Sequence, residues 1–121
     1  MFQYQRVALE AAKSFPMFGC PVRAWKEAAL RTCTTEASRE KGCPRDTFLG
    51  LCQEGRVKGI PAGAYTRSVL NRGYAVKAVE ILATGSTLQP IELWASINPG
   101  KTHNGQMDVV VALWDKGLIV M

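Results

Sequence analysis

From Gln3 to Ser14 the apolar residues Tyr4, Val7, Ala8, Ala11 and Ala12 recur at helical spacing. That periodicity predicts a first helix with one buried face. Phe15-Pro16-Met17-Phe18-Gly19 is expected to end it, with Pro16 as the breaker. Pro21 suits the first turn of a second helix, which carries Val22, Trp25, Ala29 and Cys33 on or near one face. The polar stretch from Thr34 to Gly42 predicts a short turn or helix. A third helix follows. Pro44 fits its first position, and Asp46 favours the positive end of its dipole. Phe48, Leu49, Leu51 and Cys52 form the buried stripe, and Gly55 falls where a left-handed cap belongs. Arg56 to Ile60 then alternates polar and apolar residues like a short strand.

The second half has the same grammar. Residues 61–72 read as a basic linker containing Gly63 and Tyr65. Helices are expected from Asn71 to Ala83, from Gln89 to Asn98 and from Gln106 to Lys116. Pro99-Gly100 breaks the second of these. Val109, Val110, Val111, Leu113 and Trp114 make the last helix apolar almost all round, so it is expected to be central. Gly117 caps it, and Leu118-Ile119-Val120 extends beyond.

The parallel goes down to residues. YQRVALEAAKS from Tyr4 matches YAVKAVEILAT from Tyr74, and Trp25 after Pro21 matches Trp94 after Pro90. DTFLGLCQEGRV from Asp46 matches DVVVALWDKGLI from Asp108, pairing Leu51 with Leu113 and Gly55 with Gly117. The expected fold is therefore mainly α. It consists of two pseudo-symmetric three-helix repeats (residues 1–60 and 73–121) in one domain, with residues 61–72 between them. Each repeat is expected to end in a short strand, the two strands pairing as a two-stranded ribbon on the helices beneath.

Composition adds bounds. The chain has 121 residues, 47% hydrophobic and 21% charged, an ordinary globular balance. No apolar run approaches the roughly 20 residues of a membrane helix. The opening MFQYQRVALEAAKSF lacks the continuous apolar stretch of a secretory signal. A cytoplasmic protein is expected. The four cysteines, Cys20, Cys33, Cys43 and Cys52, form no C-x-x-C pair, which argues against a zinc ribbon and for reduced thiols. Cys33 and Cys52 are expected to face inward as small hydrophobes. Trp25, Trp94 and Trp114 read as core anchors. The formal charge is +5, and its sharpest local excess runs from Arg56 to Arg72, which contains no acid.

Candidate chemistry gathers on the loops before the third and last helices. The single histidine, His103, lies beside Lys101, Asn104 and Gln106, on a loop, where function concentrates. Cys43 occupies the matching loop of the first repeat, next to Lys41 and Arg45, at a helix start that favours a thiolate. Three readings follow. The first is a non-enzymatic binding or adaptor module, engaging an anionic ligand or partner protein through Lys41, Arg45, Arg56, Lys58, Tyr65, Arg67, Arg72, Lys101, His103 and Asn104. The second is a small Cys/His hydrolase or transferase using Cys43 and His103. The third is a weakly specific nucleic-acid binder, with Tyr65 stacking on a base. A homodimer is compatible with all three. No metal site, cofactor or membrane partner is expected, and the common nucleotide-binding, hydrolase and zinc-protease motifs do not occur.

KGCPRDTFLGLCQEGRVKGIPAGAYTRS, followed by GYAVKAVEIL and KTHNGQMDVVVALWDKGLI, resembles a family of small uncharacterised bacterial proteins of about this length. G-C-P, G-L-C, K-G-I-P and H-N-x-Q-M-D-V-V carry the resemblance. It implies a domain of unknown function in a bacterial, cytosolic setting, with a mobile-element cassette as its genetic context. It lends no activity, substrate or catalytic residue.

Overall fold

A computed structural model of the chain describes residues 2–97 and 99–121. Helix α1 spans Gln3–Phe18 and α2 spans Pro21–Thr32. Pro16 lies inside α1 and does not end it. Pro16 is exposed, so water can reach the Ala12 carbonyl one turn earlier, which lost its donor. Phe15 and Phe18 pack on the core and hold the last turn. The stop comes at Gly19, where φ is 67° and the Gly19 N–H donates to the Phe15 carbonyl at 2.8 Å.

The polar stretch after α2 holds one short helix, α3 (Glu36–Arg39), closed by reciprocal bonds between Thr35 and Ser38. Helix α4 spans Gly42–Gln53, so Pro44 stands third in it and not first. Helix α5 spans Val69–Ala83 and starts two residues before the expected Asn71, because the Ser68 hydroxyl accepts the Asn71 N–H at 3.3 Å. Helix α6 spans Pro90–Ile97; Asn98, the expected end, lies outside the described residues. Helix α7 spans Gln106–Asp115. No helix among the described residues is long and apolar enough to cross a membrane.

Helix α7 sits at the centre, packed against α1, α4, α5 and α6. Met107, Val109, Val110 and Leu113 are fully buried, as the all-round apolar pattern requires. Trp25 stacks at a tilt on Phe48 in the same core, centroids 5.3 Å apart. Cys33 and Cys52 are buried free thiols. Helices α4 and α5 approach unusually closely. A Cβ on Gly50 would lie 2.8 Å from the Arg72 Cα, so the contact depends on glycine.

The segment between α4 and α5 is tied down. The Gln53 side-chain oxygen accepts the N–H groups of Tyr65 at 2.9 Å and Thr66 at 3.0 Å. The tails after α4 and α7 meet in a single antiparallel bridge, Val57 to Ile119. Lys58 N–H donates to Leu118 O, and Val120 N–H donates to Arg56 O. The expected two-stranded ribbon is thus reduced to one bridge. The reason is local: Ile60 N–H turns back to the Val57 carbonyl, with Gly59 at φ 84°, and the chain leaves its partner at once.

Candidate functional site

The loop Lys101–Gly105 is held from several sides. The Trp94 indole, 5% exposed, donates to the Lys101 carbonyl at 2.8 Å. Buried Gln106 accepts the Asn104 N–H at 2.7 Å and donates to the Asn71 side-chain oxygen at 3.3 Å. His103 Nε2 accepts the Met107 N–H at 3.0 Å and so closes the first turn of α7. Gly105 has φ 86°, and a Cβ there would stand 2.9 Å from the Tyr4 ring. Only glycine satisfies both demands.

On one side of this loop opens a cleft of about 210 Å³. It is lined by Cys43, Ser68, Leu70, Asn71, Tyr74, Lys101, Thr102, Asn104 and Gln106, with no carboxylate among them. Cys43 belongs to the first turn of α4, Ser68 caps α5, and Gln106 opens α7. Residues from three helix starts, the positive ends of their dipoles, therefore line one small space beside a lysine.

On the other side lies a pocket of about 390 Å³ lined by Phe2, Gln89, Pro90, Ile91, His103 and Asp108. His103 packs against Trp94, centroids 5.4 Å apart. Because Nε2 accepts a hydrogen bond, the neutral ring carries its proton on Nδ1. Burial pushes the His103 pKa below the ordinary histidine range; Asp108 pulls it back up and Lys41 pushes it further down. Burial likewise raises the Asp108 carboxyl, against the opposing pull of His103 and Lys41.

The remaining candidates are dispersed. Lys41 lies over the Tyr4 ring, 5.6 Å from its centroid. Arg45, Tyr65 and Arg67 line a third hollow of about 360 Å³, together with Asp46. There Asp46 accepts from Arg45 at 3.3 Å and from the Thr66 hydroxyl at 3.1 Å, and the Tyr65 hydroxyl donates back to the Pro61 carbonyl at 2.7 Å. Arg72 pairs loosely with Glu54 at 4.0 Å. Arg56 and Lys58 follow the far end of α4, a 12-residue helix about 18 Å long. A larger hollow between α1 and α2, about 560 Å³, gathers none of the candidates.

A family of unknown function, DUF6979, matches residues 1–120. The chain belongs to DUF6979. No curated protein and no solved structure matches it. The full-length resemblance to a domain of unknown function is thereby established.

In this DUF6979 chain Cys43 and His103 share a loop region and not a pocket. Cys43 lines the acid-free cleft and His103 lines the other, with no hydrogen bond between them. Lys101 and Asn104 join Cys43, whereas Arg45, Arg56, Lys58, Tyr65, Arg67 and Arg72 lie elsewhere. Sequence reasoning missed Ser68, Asn71 and Thr102 because such residues cap helices and fill loops everywhere. It also passed over Phe2 and Ile91. Their exposure at helix starts, 66% and 63%, is visible only in three dimensions.

Proposed function

We propose that this chain is a non-enzymatic binding module that takes an anionic group in the cleft between the starts of α4, α5 and α7. The group would be carried by a small molecule or presented by a partner protein. The observation that carries this reading is the lining: Lys101 with the polar side chains of Ser68, Asn71, Thr102 and Asn104, and no carboxylate to repel an anion. The three helix starts add the positive ends of their dipoles. At about 210 Å³ the cleft suits a small anion of one or two phosphate or carboxylate groups better than a whole nucleotide. Dispersal of the other basic residues favours a discrete anion over a continuous nucleic-acid backbone. Separate pockets for Cys43 and His103 leave the thiol without a base, which weighs against nucleophilic catalysis. The free thiols fit a reducing, cytoplasmic setting. Calorimetric titration with inorganic pyrophosphate at low salt tests the reading. Saturable binding that weakens at least about tenfold in Lys101→Glu is expected. No binding at millimolar pyrophosphate, or binding untouched by that change, overturns it.

The same reading includes an internal two-fold. Val57 bridges to Ile119, and these residues are related by the offset that relates Gly55 to Gly117. Both glycines have φ 69°. Arg56 N–H donates to Leu51 O at 2.8 Å, and Leu118 N–H to Leu113 O at 2.9 Å. Helix α1 packs on α7 as α5 packs on α4, each crossing to the other half. A domain so arranged buries each repeat's apolar face under its twin, and it brings the loops before α4 and α7 to one end.

A further inference from the structure

We infer that the pocket between Phe2 and the start of α6 is a second binding site, for a protonated amine carried on an apolar body. Asp108 would take the ammonium, and Phe2, Pro90 and Ile91 would hold the body. This inference is independent of the anion cleft and has the opposite charge preference.

Asp108 lines the pocket from the first turn of α7. Its side chain is half-buried, yet it takes part in neither ion pair found among the described residues, Arg45–Asp46 and Arg72–Glu54. It makes no side-chain hydrogen bond among them either. A carboxylate partly removed from water and left without a partner is held at a cost, and its raised pKa is the sign of that cost. Lys41 is near enough to act on it electrostatically but lies over the Tyr4 ring, outside ion-pair distance, and does not line the pocket. A cation entering the pocket would supply the missing partner.

The rest of the wall says what carries that cation. Phe2 and Ile91 are large, exposed hydrophobics, and both line this pocket with Pro90. Isolated exposed apolar residues are ordinary; two that line one pocket with a carboxylate lacking an ion-pair partner among the described residues make an amphipathic site. An anion would be repelled by Asp108. A wholly apolar ligand would desolvate the carboxylate further without pairing it. His103, its Nε2 engaged by the Met107 N–H, is a fixed part of the wall. The volume, about 390 Å³, suits a fragment-sized molecule.

Amide-resolved NMR titration of the full chain at pH 7 tests the inference with three probes of one shape: phenethylammonium, 2-phenylethanol and phenylacetate. Phenethylammonium should shift the amides of Ile91, His103 and Asp108 saturably. It should bind at least about tenfold tighter than the alcohol, with phenylacetate weakest. Asp108→Asn should erase the difference between amine and alcohol. Lys41→Met should strengthen the amine, because it removes a competing positive charge. Lys101→Glu, which disables the anion cleft, should not weaken it. A short peptide with one internal lysine identifies the source of the amine. Binding as tight as phenethylammonium assigns the pocket to a lysine side chain, and weaker binding assigns it to a free amine. Equal binding of the three probes in the unaltered chain, or an amine preference that survives Asp108→Asn, overturns the inference.

Discussion

The cleft holding Lys101 and the pocket holding Asp108 are separated by one short loop, yet their linings sort charge in opposite senses. The first sets Lys101 among neutral side chains at three helix starts. The second sets one acid, without an ion-pair partner among the described residues, beside exposed apolar residues. Trp94 stands between them. It donates to the Lys101 carbonyl, meets Tyr74 of the first lining edge-on at 5.1 Å, and packs on His103 of the second. One rigid, amphipathic side chain can thus support two sites of unlike chemistry.

If both sites depend on the shape of this loop, Gly105→Ala should have the largest effect. The substitution forces a side chain into positive φ and against the Tyr4 ring. It should cost about 2–4 kcal/mol in urea denaturation and abolish pyrophosphate and amine binding together. A loss under about 0.5 kcal/mol would mean that the loop relaxes freely. Trp94→Phe comes next. It removes the bond to the Lys101 carbonyl and should cost about 1–3 kcal/mol, weakening both ligands. Weakening of only one would show that the two linings are mechanically separate.

A smaller effect lies within the second pocket, whose two titratable groups respond to pH with opposite sign. His103 is held below its ordinary value near 6.5 by burial, so the unfolded chain binds its proton before the folded one does. Its contribution to stability is therefore complete above about pH 6.5 and is lost as the pH falls from there through the folded value. Protonation would also take the Nε2 lone pair from the Met107 N–H. Asp108 has the opposite sign. Its raised pKa gives a contribution present below about pH 3.9 and lost as the pH rises through the folded value. His103→Ala should cost about 0.5–2 kcal/mol at pH 7 and flatten the fall in stability below pH 6.5, as followed by thermal melts. An unchanged pH profile would rule out the capping role.

Helix positions were largely legible in the sequence because each carries a strong local signal. Periodic apolar residues, Pro21, Gly55 and the apolar run of α7 all act through neighbours in the chain. Pro16 misled because its effect depends on whether water reaches Ala12, which is a tertiary matter. The start of α5 misled because Ser68 reads as linker until its hydroxyl is seen on Asn71. Of the two sites, the loops before α4 and α7 could be read, along with Lys101, His103 and Asn104. Their division into two pockets could not. It depends on which side of Trp94 each side chain falls, and no spacing encodes that. Asp108 was visible only as a repeat match, since an acid in a first helical turn is ordinary.

The most direct test is one amide-resolved NMR sample of the full chain titrated first with pyrophosphate and then with phenethylammonium. Two disjoint sets of saturable shifts are predicted. The first should fall on Cys43, Ser68, Asn71, Lys101 and Asn104, and the second on Ile91, His103 and Asp108, each ligand binding in the presence of the other. Mutual displacement, or one diffuse set of shifts common to both ligands, would contradict the account.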